Sequence, residues 1–116
     1  MHDLMFTKEI LSALNSKLRS IPRGSRIISV NASLSPLSHV KPETLRKTFT
    51  AMVKETGFEK IALNITVLKL GIKCRSCGKE YFIDKPTMRC PGCSSADMDI
   101  INNKEFLIES IEVSKD

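Results

Sequence analysis

Residues 74–93, which read CRSCGKEYFIDKPTMRCPGC, contain all four cysteines of the chain in the spacing Cys-x2-Cys-x12-Cys-x2-Cys. Each Cys-x-x-Cys pair forms a tight knuckle that aims two thiolates at one point, and backbone N–H groups of the knuckle can donate to the sulfurs. Gly78 and Gly92 suit the positive φ that such turns often require. The twelve-residue spacer predicts a small hairpin, with residues 80–83 as one arm and 84–86 as its turn. This hairpin would bring both knuckles around one metal ion.

Four thiolates at this spacing predict a structural zinc site, one per chain, formed by Cys74, Cys77, Cys90 and Cys93. Because four protein ligands leave no position for water or substrate, we expect this metal to support the fold and not to catalyse a reaction. A pair of redox dithiols and a rubredoxin-type iron site are the alternatives. Redox motifs usually occur singly on a thioredoxin-like βαβ frame, and that frame is missing here.

Composition narrows the class of protein. The chain has 116 residues, of which 41% are hydrophobic, so it can build one modest core but not two full ones. Its five glycines and two histidines form no phosphate loop, dinucleotide fingerprint or nucleophile elbow, and we predict that it is not an enzyme. No apolar run is long enough to span a membrane, and Asp3 and Glu9 stand where a secretory signal would be basic and then apolar. We therefore expect a cytoplasmic protein with reduced thiols.

Hydrophobic periodicity outside the cysteine region predicts two helices and three strands. The first helix ends before Pro22, and its apolar stripe comprises Leu4, Leu11, Leu14 and Leu18, widened by Ile10 and Ile21. A strand follows over residues 26–34, whose buried side is predicted to comprise Ile28, Val30, Ala32 and Leu34. The second helix begins at Pro42 and ends before Gly57, with an apolar face of Leu45, Phe49, Met52 and Val53. The other two strands are expected over residues 60–70 and 105–113.

These elements predict an α+β fold in which two helices cover one face of a small three-stranded sheet. The first two strands and the helix between them form a parallel βαβ unit. The last two strands flank the cysteines and are expected to pair antiparallel, with a zinc-ribbon-like unit inserted between them. The resulting division is an α/β domain of residues 1–72 plus 104–116 and a zinc domain of residues 73–103. Gly71 and the pair Asn102-Asn103 are the expected hinges.

Three further stretches, taken with the knuckles, resemble one known family. They are the opening Met1-His2-Asp3, the segment LSHVKPETL at 37–45 and the ending IESIEV at 108–113. Together they resemble the HypA/HybF family of nickel-incorporation proteins, which mature [NiFe]-hydrogenases and sometimes ureases. The resemblance implies a metallochaperone that binds transferable nickel through the Met1 amine, the His2 imidazole and nearby backbone nitrogens, with Asp3 alongside. It also implies a structural zinc at the four cysteines.

The same resemblance implies the partners. They are a HypB-type GTPase and the [NiFe]-hydrogenase large subunit or a urease apparatus, with neither nucleic acid nor membrane, and the chain is a monomer or weak homodimer. Two positions depart from the family pattern. Asp3 replaces the usual Glu, which shortens the reach of the carboxylate, and it is also well placed as the N-cap of the first helix. His39 replaces a residue that is usually small, and it is either a spare ligand or an ordinary exposed loop residue.

Two other functions remain open from the residues alone. A zinc-ribbon nucleic-acid-binding module would fit the formal net charge of +5 and the four cysteines. Against it, residues 73–103 carry five Lys or Arg and four Asp or Glu, and only Tyr81 and Phe82 could stack bases there. The other alternative is a family-like scaffold that has lost nickel binding and only docks partners.

Overall fold

The computed structural model describes residues 2–54, 56–83, 89–101 and 104–115. Within these residues, two helices and six strands follow one another: α1 (His2–Ser20), β1 (Ser25–Leu34), α2 (Pro42–Met52), β2 (Ala62–Val67), β3 (Leu70–Cys74), β4 (Glu80–Ile83), β5 (Met98–Ile100) and β6 (Phe106–Lys115). Pro42 in the first turn of α2 has the φ that a helix start requires and needs no N–H partner there. The fold is α+β, as the sequence predicted. In the part of the chain described, no helix is both long and apolar enough to cross a membrane.

The first sheet has the strand order β2-β1-β6. β1 pairs with β2 in parallel, which confirms the predicted βαβ unit, and with β6 antiparallel. The predicted antiparallel pairing of the strands that flank the cysteines is wrong, because β1 lies between β2 and β6. Asn31 of β1 bonds across the strands to Ser110 and Asn64 on the exposed side. The opposite side of the sheet packs with both helices in one apolar core.

The register of β1 corrects the predicted burial pattern. The pairing with β6 shifts between Ile27 and Ser29, as in a β-bulge, so one residue of β1 is left without an opposite partner. Ile28 falls at this shift and is 41% exposed, whereas Ile27 is 8% exposed. Simple alternation therefore predicts the wrong isoleucine for the core, although it is right from Val30 onward.

Helix α1 confirms the predicted stripe at Ile10 and Leu14 but not at Leu4 and Leu18. The buried residues are Phe6, Thr7, Ile10 and Leu14, and Leu11 is partly buried at the edge. Leu4 and Leu18 are 37% and 49% exposed. At 100° per residue, the side chains at 6, 10 and 14 form the centre of the buried face, and Leu4 projects from the helix at a large angle to that face. The ring of Phe6 stacks on that of Phe106 in β6, with centroids 4.5 Å apart, so an aromatic pair anchors the beginning of the helix.

The second sheet has the order β4-β3-β5, with both neighbours antiparallel to β3. The strand predicted over 60–70 ends earlier, because β2 ends at Val67 and Leu70 begins a separate strand, β3. Gly71, an expected hinge, lies inside β3 opposite Phe82. The predicted arm at 80–83 is β4, but its partner is β3 and not a strand of the spacer. The predicted turn at 84–86 and the hinge at 102–103 lie outside the described residues, and the domain division stays a prediction.

Candidate metal centres

The four cysteine sulfurs form one cluster, in which they all lie within 4.8 Å of one another. The Sγ atoms of Cys74 and Cys93 are 3.5 Å apart, and those of Cys77 and Cys90 are 3.8 Å apart. These separations are far too long for disulfides, whose sulfurs lie about 2.05 Å apart. A tetrahedral zinc with bonds of about 2.3 Å sets neighbouring sulfurs about 3.8 Å apart. Two of the separations therefore already match a single zinc ion, and the four sulfurs lie close enough together for small side-chain shifts to complete the site.

The two knuckles share one backbone hydrogen bond, and in each a backbone N–H also donates to the sulfur of the first cysteine. In the first, the N–H of Cys77 donates to Cys74 Sγ (3.4 Å), and the N–H of Gly78 donates to the Cys74 carbonyl (2.9 Å). In the second, the N–H of Gly92 donates to Cys90 Sγ (3.3 Å), and the N–H of Ser94 donates to the Cys90 carbonyl (2.9 Å). Gly78 and Ser94 occupy equivalent positions and both have positive φ, 76° and 65°.

Gly92 has a role other than the predicted positive φ. A Cβ at this position would lie 2.4 Å from the hydroxyl oxygen of Tyr81, so the glycine provides space for the phenol. That hydroxyl oxygen lies 3.9 Å from Cys90 Sγ. Burial raises the pKa of Tyr81, and the neighbouring thiolates raise it further, so the phenol keeps its proton and can donate it toward sulfur. The sequence indicated no role for Tyr81 beyond the arm at 80–83 and the base stacking of the nucleic-acid alternative, and its contact with the cluster arises from the β3–β4 register.

The electrostatics of the cluster favour a cation at its centre. The backbone N–H of Cys77 lowers the pKa of Cys74. Burial raises the pKa of Cys90, but N–H donors from Cys93 and Gly92 outweigh it and lower the value to about 6. The N–H of Ser95 lowers the pKa of Cys93, yet the neighbouring thiols raise it to about 12. The pKa values of Cys74 and Cys90 are thus lowered, whereas that of Cys93 is raised because neighbouring thiolates disfavour another negative charge. A divalent cation at the centre would stabilise all the thiolates together.

An ion pair outside the cluster joins the first knuckle to β5. Arg75 donates through Nε to Asp99 (2.9 Å) and through Nη1 to Asp97 (3.2 Å), and its Nη2 also bonds to Asp99. These carboxylates raise the pKa of Arg75. The groups are largely exposed, so the pair orients the knuckle more than it stabilises the fold. Its partners are more than 20 residues apart in the sequence, so no local pattern predicts this ion pair.

Two of the three predicted nickel ligands, His2 and Asp3, are at the start of α1. Met1 lies outside the described residues, and His2 is the first residue of the helix and is exposed. Asp3 therefore lies inside the first turn and is not the N-cap, and its carboxylate suits the positive end of the helix dipole. Its Oδ2 accepts a hydrogen bond from Thr48 of α2 (2.7 Å), which lowers the pKa of Asp3 to about 2. The carboxylate is thus ionised and tied to the second helix.

His39 lies beside this end of α1. It occupies the loop between β1 and α2 and is exposed, and its ring centroid is 6.3 Å from that of His2 with an interplanar angle of 29°. The other neighbour of the His2 ring is Phe6, also at 6.3 Å. The structure therefore brings together the only two histidines of the chain, which are 37 positions apart.

Comparisons with known proteins match nearly the whole chain to one protein family, the family that the sequence motifs resemble. A protein-family model described as hydrogenase/urease nickel incorporation, metallochaperone, hypA matches residues 1–113. The hydrogenase maturation factor HypA of Aquifex aeolicus is 31% identical over 116 residues, covering all of both chains. That of Desulfatibacillum aliphaticivorans is 28% identical, covering 98% of this chain and 88% of its own.

Two solved structures share the fold. The solution structure of the Ni metallochaperone HypA from Helicobacter pylori superimposes with a TM-score of 0.64 at 16% identity, and the alignment covers 98% of each chain. A second solution structure, of a HypA protein, gives a TM-score of 0.74 at 16% identity and covers 100% of this chain and 98% of that one. At this identity the superpositions concern the architecture alone.

Proposed function

Because this chain belongs to the HypA family of nickel-incorporation metallochaperones, we propose that it binds Ni(II) at its N-terminus and hands it over during maturation of [NiFe]-hydrogenase, and sometimes of urease. The observation that carries this proposal is the family match, which includes residues 1–3 as well as the cysteines. The match does not favour a nucleic-acid-binding zinc ribbon. We propose no catalytic role for the chain.

The zinc part of the proposal is supported by the sulfur geometry. Four thiolates at tetrahedral spacing form a closed site, so the zinc is a structural ion, one per chain. Among the described residues of this unit, those that are buried are Leu70, Gly71, Ile72, Cys74 and Cys90, and the apolar core of the helices does not include them. So small a core cannot hold three short strands alone, and the metal–sulfur bonds supply the missing stability.

The nickel part depends on the N-terminal donors. The Met1 amine and the His2 imidazole are nitrogen ligands of the kind that Ni(II) accepts. Asp3 is ionised and held by Thr48, so it contributes negative charge beside the ion. A site at the exposed start of a helix suits a cargo ion, because a partner can reach it without unfolding the core.

Handover requires a partner that accepts the ion. We infer that a HypB-type GTPase and the hydrogenase large subunit or a urease apparatus act with this chain in the cytoplasm, with the chain as a monomer or weak homodimer. Neither nucleic acid nor a membrane is required by this scheme. The basic surplus is small once zinc is bound, since four thiolates and one Zn²⁺ add a charge of −2, and nucleic-acid binding is expected to vanish near physiological salt.

Calorimetry with Ni(II) on untagged, zinc-loaded protein tests the proposal. We expect one nickel per chain, lost in His2→Ala and in a variant with one residue added before Met1, because the extension converts the amine into an amide. Glu9→Ala, an exposed change farther along α1, is the matched control and should bind normally. Zinc content should stay at one per chain in every variant. Normal nickel binding by the extended protein would show that the site is elsewhere.

A further inference from the structure

The structure points to a second histidine at the nickel site: we infer that the His39 imidazole joins His2 in binding the nickel cargo. The inference rests on the proposed function, since it adds a ligand to the N-terminal site. The structural observation behind the inference, however, does not depend on the proposed function. Two exposed imidazoles from separate elements, the start of α1 and the β1–α2 loop, lie with ring centroids 6.3 Å apart.

This separation matches what one metal ion requires. With metal–nitrogen bonds of about 2.0 Å and rings about 1.1 Å in radius, two imidazoles on one ion have centroids about 4.5 Å apart when cis and about 6.3 Å apart when trans. The pair already lies within this range. Both side chains are exposed, and the terminal torsion of histidine is broad, so the rings can turn their nitrogens toward a shared ion at little cost.

The loop that carries His39 is held on both sides of it. The N–H of Ser38 donates to the Ser35 carbonyl (3.0 Å), and the N–H of Val40 donates to Ser38 Oγ (3.1 Å). Val40 is buried in the main core. His39 is therefore presented at a defined place, and the entropic cost of bringing it to the metal is largely met by the fold.

The start of α1 is held relative to α2, which follows this loop. Thr48 of α2 donates to Asp3, and Thr7 donates to the Asp3 carbonyl (2.8 Å). The His2–His39 spacing is thus set by two anchored segments and not by two free side chains. A neutral imidazole also adds a nitrogen donor without adding charge, which suits Ni(II).

Ring spectra of the wild-type protein give a direct test. The chain contains two histidines in all, so ring-¹⁵N-labelled histidine yields two sets of signals. We expect one equivalent of Ni(II) to shift or broaden both sets together in the untagged, zinc-loaded protein. A His39 signal that stays unchanged while the His2 signal responds would overturn the inference and leave the proposed function intact.

Affinity measurements complete the test. We expect His39→Ala and His39→Gln to weaken nickel binding at least about tenfold, because even the loss of an outer partner of a ligand costs about 10- to 100-fold. Leu37→Ala, an exposed change in the same loop, is the matched control and should bind as the wild type does. Nickel binding unchanged in both His39 variants would refute the role of His39. Nickel binding unchanged in His2→Ala would instead refute the proposed N-terminal site.

Discussion

Substitution of Gly92 by alanine tests how the second knuckle is packed. The new Cβ would lie 2.4 Å from the Tyr81 hydroxyl oxygen, whereas ordinary contacts begin at 3.4 Å, so the oxygen must retreat by about 1 Å. The retreat removes it from Cys90 Sγ, now 3.9 Å away. A lost hydrogen bond costs about 1 kcal/mol net, and the small rotation of the ring adds a few tenths.

The total, about 1 to 1.5 kcal/mol, should appear as zinc binding that is about five- to thirteenfold weaker, because the unit takes its shape with the metal bound. Competition with a chromophoric zinc chelator measures this. In a Tyr81→Phe background, Gly92→Ala should cost almost nothing more, since the next ring atom is 3.6 Å away. The double-mutant cycle should therefore give a coupling of about 1 kcal/mol.

Gly78→Ala provides the matched control. Gly78 has φ of 76° and no atom within 4 Å of its would-be Cβ, so alanine there costs backbone strain of about 1 kcal/mol that does not involve Tyr81. Its effect on zinc affinity should be the same with tyrosine or phenylalanine at position 81. Should Gly92→Ala also cost the same in both backgrounds, the steric explanation is refuted.

Three other predictions concern the two sheets and the buried face of helix α1. Cys90→Ala should release zinc and disorder the β4-β3-β5 sheet while amide spectra of the first sheet persist; loss of both sets of signals would show that the units fold together. Leu14→Ala should lower the free energy of unfolding in urea by about 2–5 kcal/mol and Leu18→Ala by under about 1 kcal/mol, because only Leu14 is fully buried; equal losses would contradict the observed helix face. A hydrogen bond from Ser29 lowers the pKa of Glu112 in the folded protein. The bond therefore stabilises the folded state fully at pH values above the ordinary glutamate pKa of about 4.3, and this contribution is lost as the pH falls and the carboxylate is protonated. The melting temperature of Glu112→Gln should thus lie below that of the wild type at pH 7 and converge with it near pH 3; a constant gap would argue against this bond.

The cysteine spacing by itself determined that four sulfurs form one cluster. A Cys-x-x-Cys turn is closed by hydrogen bonds between residues two to four apart, so its geometry is a local property of the chain. The parallel βαβ unit was equally predictable, because the helix between two strands must cross over the sheet. The N-terminal nickel ligands rest on resemblance, and residue patterns alone do not identify them.

Strand pairing between distant parts of the chain decided the features that the sequence pattern did not predict. The shift at Ile28 arises from how β1 aligns with β6, more than 80 positions away, and no local pattern records it. The break between β2 and β3 is decided in the same way, because β2 joins the first sheet and β3 joins the second. Periodicity reports which residues are apolar, but burial depends on the partner strand. The meeting of His2 and His39 is of the same kind, since it requires α1 and the β1–α2 loop to pack at the same end of the core.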